Sequence, residues 1–127
     1  MMLVLRLNSD ASAAQEARAA IHNALSTWPE AVRDVAVLLA DELVTNALVH
    51  TSGEIGLRVE DSPEWIRVEV SDTSAAPPLV RSPKPKEARG RGMMIVDALA
   101  SSWGIVPTSE GKRVWFQLDV AEPVREP

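Results

Sequence analysis

The chain has 127 residues, 46% of them hydrophobic and 24% charged, with a net charge of −5 and no cysteine. That length suits one domain with a real apolar core. The missing cysteines exclude a disulfide framework and a Cys-based zinc site, and the acidic balance argues against a protein that wraps nucleic acid.

Residues 3–7, LVLRL, read as a short strand. The apolar run of MMLVLRLNSD is too short for a signal peptide and no cleavage pattern follows, so a soluble, cytoplasmic protein is expected. Asn8, Ser9 and Asp10 supply N-cap chemistry for a first helix over residues 11–28, with Ala17, Ile21, Ala24, Leu25 and Trp28 at helical spacing. Pro29 ends that helix or opens the next. A second helix is expected over residues 30–49, with an apolar stripe of Val35, Leu38, Leu39, Leu43, Ala47 and Leu48.

EIGLRVE (54–60) and WIRVEVS (65–71) alternate as the strands of a hairpin. Pro77, Pro78, Pro83 and Pro85 exclude a regular element over residues 73–91. A third helix is expected over residues 92–100. SWGIVPT and KRVWFQLDV then form two more strands, joined by Ser109, Glu110 and Gly111. The fold class that follows is α+β, a two-layer sandwich with helices on one face of a mixed, mostly antiparallel sheet. One domain over residues 1–127 is expected, with a core over 3–120 and a frayed tail at 121–127.

Four constellations carry chemistry. In DELVTNALVH, Glu42, Asn46 and His50 follow one another at four-residue steps along one curving stripe beside the buried side of the helix. A carboxylate and an amide there reach solvent or a basic partner, or their oxygens hold a hard cation such as Mg²⁺. Glu42 alternatively serves as a general base. Asp72, at a strand end, is an Asx-turn or an acceptor for an exocyclic amine. Gly90, Arg91 and Gly92 precede an apolar helix and form either a hinge or an anion-binding helix start. Arg81, Lys84, Lys86, Arg89 and Arg91 place five of the 13 basic residues within eleven positions. Such a run is a solvated loop or one that covers phosphates.

The order of these signals resembles the GHKL ATP-binding fold, and most closely its small anti-sigma regulatory factors, which are serine/threonine protein kinases. ELVTNALVH looks like their N box, GRGMMIVDALASSWGI like their second glycine box, and GKRVWFQL like their last strand. The resemblance implies ATP and Mg²⁺ as cofactors. It implies Asn46 as the Mg²⁺ ligand, Glu42 as the catalytic carboxylate, Asp72 at the adenine amine, and Gly90, Arg91, Gly92 and Met93 along the phosphates. Residues 75–89 would be the ATP lid, and Trp103 and Gly104 structural. The partners it implies are a STAS-type anti-anti-sigma protein and a sigma factor, with a homodimer as a further expectation and no direct nucleic-acid or membrane contact.

Two departures stand out. Ser74 replaces the glycine of the family's Asp-x-Gly box, and Lys112-Arg113 stand where many relatives carry a threonine near the phosphate or adenine. A structural role is expected for His50 and an exposed helical position for His22. Trp28, Trp65, Trp103 and Trp115 are expected as core or interface anchors. The alternative function is a non-catalytic binding module that sequesters a regulatory protein. A gyrase-type machine is a third reading, but the chain has no room for a transducer domain.

Overall fold

The computed structural model describes residues 1–51, 53–73 and 88–120, with His50 and residues 88–92 described by backbone alone. In chain order its elements are β1 (Met2–Leu7), α1 (Ala13–Ala24), α2 (Glu30–His50), β2 (Ile55–Ser62) and β3 (Trp65–Asp72), then α3 (Ala88–Leu99), β4 (Ser102–Pro107) and β5 (Lys112–Asp119). The sheet order is β1-β2-β3-β5-β4, and each neighbouring pair is antiparallel. The expected mixture of pairings is therefore not found among the described strands.

Connection lengths account for this order. Two helices between β1 and β2 carry the chain across the molecule and back, so β2 returns antiparallel. A single helix between β3 and β4 carries it across once, so those two strands run the same way. β5 then turns back between them and pairs antiparallel with both.

Alternation along the strands decides which face is covered. Ile55, Leu57 and Val59 on β2, Ile66, Val68 and Val70 on β3, and Val114, Phe116 and Leu118 on β5 all point to the helix layer and are buried. The opposite face carries Arg67 stacked at 4.0 Å on the Trp115 ring, and Arg113 at 3.6 Å from Glu69. Gly104 lies on that face directly under the indole, where an added Cβ would come within 2.9 Å of Nε1.

α2 touches α1, α3 and the strands β2, β3 and β5, so it is packed from several sides. Its buried face runs through Ala36, Leu39, Ala40, Leu43, Val44 and Ala47, whereas Leu38 is 42% exposed. The stripe read from the sequence holds at Leu39, Leu43 and Ala47, which are buried, and at Val35 and Leu48, which pack against the core; Leu38 departs from it, and the small Ala36 and Ala40 complete the buried face.

α1 stops at Ala24, four residues before the expected end. Trp28 lies beyond it in a turn, where its backbone N–H donates to the Leu25 carbonyl. α3 begins at Ala88, earlier than expected, because no proline follows Pro85 to prevent it. Gly90 and Gly92 therefore lie inside the helix and not before it. Ser74, residues 75–87 of the expected lid, with its basic Arg81, Lys84 and Lys86, and the tail 121–127 lie outside the described residues. No helix among those described is long and apolar enough to cross a membrane.

Candidate functional site

The C-terminal end of α2, the exit of β3 and the entry of β5 meet at one end of the sheet. A pair of hydroxyls fastens the first two. Thr51, which closes α2, lies 2.6 Å from Thr73 Oγ1, and its own oxygen also accepts the Gly53 N–H at 3.1 Å. Asp72 immediately precedes Thr73, so the bond ties the strand end that carries Asp72 to the helix that carries Glu42 and Asn46.

Asn46 is buried, at 5% exposure, and its Oδ1 has no hydrogen-bond partner among the described residues. A buried amide oxygen left unmet costs about 1–3 kcal/mol. One helical turn earlier, Glu42 is half-buried. Desolvation pushes its carboxyl above the ordinary value, and the negative charge of Asp41 adds to the effect. Asp41 itself accepts a 2.6 Å hydrogen bond from Arg18 on α1.

Asp72 faces Lys112 directly across the β3–β5 ladder, and the lysine Nζ donates to Asp72 Oδ1 at 3.1 Å. Both side chains are almost wholly shielded from solvent, with side-chain exposures of 1% for Asp72 and 3% for Lys112. Gly111 packs against the same strand end. A Cβ there would collide with the Asp72 carbonyl oxygen and come within 2.6 Å of the Thr73 Cα. A cavity of about 380 Å³ borders Asp72, Thr73, Thr108 and Glu110, and it does not extend to Glu42 or Asn46.

Met93 is fully buried in the core, so its side chain packs inward. Gly90, Arg91 and Gly92 form the first turns of α3, and their side-chain environment, like that of His50, lies outside the described residues. His22 is exposed, as expected. Trp28 and Trp103 pack against the core as anchors, with Trp28 Nε1 donating to Asp61 at 2.6 Å and Trp103 Nε1 to Asp97 at 2.8 Å, whereas Trp115 lies on the opposite face of the sheet under Arg67.

The donor set suits a hard cation held together with phosphate oxygens. Among the described residues no three acidic, histidine or cysteine side chains cluster to cage a metal unaided. The orphaned Asn46 oxygen is the kind of single protein ligand that Mg²⁺ takes when waters and phosphates fill its other positions. The sequence places Lys112 where many relatives carry a threonine near the phosphate or adenine, but it does not point to Gly111 or the Thr51–Thr73 pair. The signal for Lys112 was present: it shares the buried phase of Val114, Phe116 and Leu118, so a lysine in KRVWFQL had to point inward.

Residues 7–118 match the family model described as a histidine kinase-like ATPase domain. No curated protein matches the chain. Among solved structures, the crystal structure of the RsbU and RsbW domains of Rv1364c from Mycobacterium tuberculosis superposes with a TM-score of 0.71 at 20% identity, over 98% of this chain and 33% of that one. At that identity the likeness shows a shared fold, and the chain spans about a third of the length of the solved protein.

Proposed function

Because the chain belongs to the histidine kinase-like ATPase domain family, we propose that it is an ATP- and Mg²⁺-binding regulator of the anti-sigma type. In this reading it phosphorylates a serine or threonine on a STAS-type anti-anti-sigma partner and so decides whether a sigma factor is held or released. The observation that carries the proposal is the buried Asn46 oxygen, without a partner among the described residues, one turn from a carboxylate whose proton affinity is raised by burial.

Each residue then has a task. Asn46 Oδ1 would hold Mg²⁺, which when bound neutralises phosphate charge. Asp72 fixes the base. The first turns of α3 present backbone N–H groups to the phosphates, and Met93 holds that helix down by filling the core. Glu42 orients the partner's hydroxyl and takes its proton. The hydroxyl oxygen bonds to the γ-phosphorus, the bond from that phosphorus to the β–γ bridging oxygen breaks, and ADP leaves. The raised proton affinity of Glu42 moves it toward the range of an effective general base. The phosphate gives the partner about −1.5 to −2 charges, which repel a protein of net charge −5.

The test uses labelled ATP and a STAS-type acceptor. Glu42→Gln is expected to lower transfer about 10²- to 10⁴-fold while ATP still binds; transfer at the wild-type rate removes Glu42 from the mechanism. A second reading, a binding module without catalysis, is favoured by the engagement of Asp72 with Lys112 inside the protein. Absence of heat on titration with millimolar ATP and Mg²⁺ selects it.

A further inference from the structure

We propose that the outer edge of β1 pairs with β1 of a second copy of this chain, antiparallel about a two-fold axis at Val4, so that two five-stranded sheets become one. The inference stands independently of the nucleotide-binding reading.

β1 has β2 on one side and no described strand on the other. Its hydrogen-bond phase follows from a single bond. The Asp61 N–H donates to the Met1 carbonyl, and the ladder continues with Met2 opposite Glu60. Met1 and Asp61 are therefore a hydrogen-bonded pair, and such pairs alternate along an antiparallel ladder. Leu3, Leu5 and Leu7 turn their backbone groups toward β2. Met2, Val4 and Arg6 turn theirs to the open edge. Edges of this kind are usually blunted by proline, charge or a bulge. β4, the sheet's other edge, contains Gly104 and ends at Pro107. β1 has neither residue, and its register with β2 runs without a bulge. Its one charged side chain, Arg6, lies 3.4 Å from Glu54, while Met2 and Val4 are 59% and 65% exposed.

The strand is complementary to itself. Outward backbone groups meet only if Met2, Val4 and Arg6 face their own counterparts; a slip of one residue turns the bonding groups away from each other. Centring the pair on Val4 sets Val4 opposite Val4 and Met2 opposite Arg6 at both ends, and it uses every outward N–H and carbonyl from Met2 to Arg6. Arg6 then faces a methionine, so no like charges meet. Leu3 of one copy lies beside Leu5 of the other, on the face where both pack against the core. Pairing thus removes apolar surface from water as well as satisfying the edge. A second copy brings this register with it, because the two strands are the same sequence.

Sedimentation of the intact chain over a range of concentrations tests the proposal. The wild type is expected to pass from monomer to dimer with a dissociation constant of about micromolar order. Amide exchange followed by NMR is expected to slow at Met2, Val4 and Arg6 as the dimer fills, whereas Leu3 and Leu5 exchange slowly at every concentration. Val4→Pro deletes an outward N–H and none that β2 uses, so it is expected to weaken the dimer at least about tenfold while the monomer still folds. Val4→Lys sets two ammonium groups against each other at the axis, and it serves if the proline variant unfolds. A wild type that stays monomeric at about millimolar concentration overturns the proposal. So does a dimer that a folded Val4 variant leaves intact, or one whose Val4 amide still exchanges fast, since the copies then meet elsewhere.

Discussion

Each end of the sheet holds an aspartate in a hydrogen-bonded setting, and the two are satisfied differently. At the hairpin end, Asp61 accepts the Trp28 indole N–H at 2.6 Å and lies 3.2 Å from the N-terminal ammonium. At the other end, Asp72 meets Lys112 deep under the helix layer, while the Asn46 oxygen on α2 has no partner among the described residues. One end joins polar groups to close a turn against the core. The other holds polar groups in a costlier arrangement and keeps one of them unused. Polarity that is fully spent locally reads as structure, and polarity held in reserve reads as a site.

Three substitutions break or sharpen that contrast. The largest effect is expected at Asn46→Ala, which should weaken Mg·ATP binding by about two orders of magnitude or more in calorimetry. Its melting temperature should hold or rise, because the change removes an unsatisfied buried oxygen. A variant that melts much earlier yet binds ATP normally would place Asn46 with Asp61 on the structural side. Next comes Trp28→Phe, expected to cost about 1–2 kcal/mol in urea unfolding by depriving Asp61 of its donor, with ATP affinity unchanged.

The smallest effect concerns Glu42 and pH. Its folded-state proton affinity is raised, so the folded chain binds more protons than the unfolded chain in the window that opens near 4.5 and extends upward. Stability contributed by this group therefore falls as pH rises through that window. Glu42→Gln should raise the melting temperature modestly at neutral pH, and the gain should fade as pH falls below about 4.5. A gain that grows toward acid would reverse the assigned sign.

Much of this was legible in the sequence, for reasons of period. Strand alternation located β2, β3 and β5 to within one or two residues, because a period of two leaves little freedom once one face is apolar. Glu42 and Asn46 stood out because polar side chains beside a buried stripe call for partners. The phase of α2 was harder: Ala36 and Ala40 bury completely while Leu38 faces outward, and hydropathy alone weights leucine over alanine. The start of α3 was missed because glycines read as a boundary, although each costs only about 1 kcal/mol inside a helix. The Asp72–Lys112 pair needed strand pairing, since nothing local in DTS or GKR says that those residues face one another.

The separation within that pair has a consequence for how the molecule assembles. Asp72 and Lys112 are 40 positions apart in the chain, with α3 and β4 between them. Closing so long a segment has an entropic cost that only the finished ladder repays. The acceptor and donor at the end of β3 therefore come together when β5 slots between β3 and β4, the step that also completes the sheet. Nascent chains that stop short of β5 carry Glu42, Asn46 and Asp72 but lack the lysine that faces the last of them. The polar pair at this end of the molecule is thus expected to form late in folding, together with docking of the final strand.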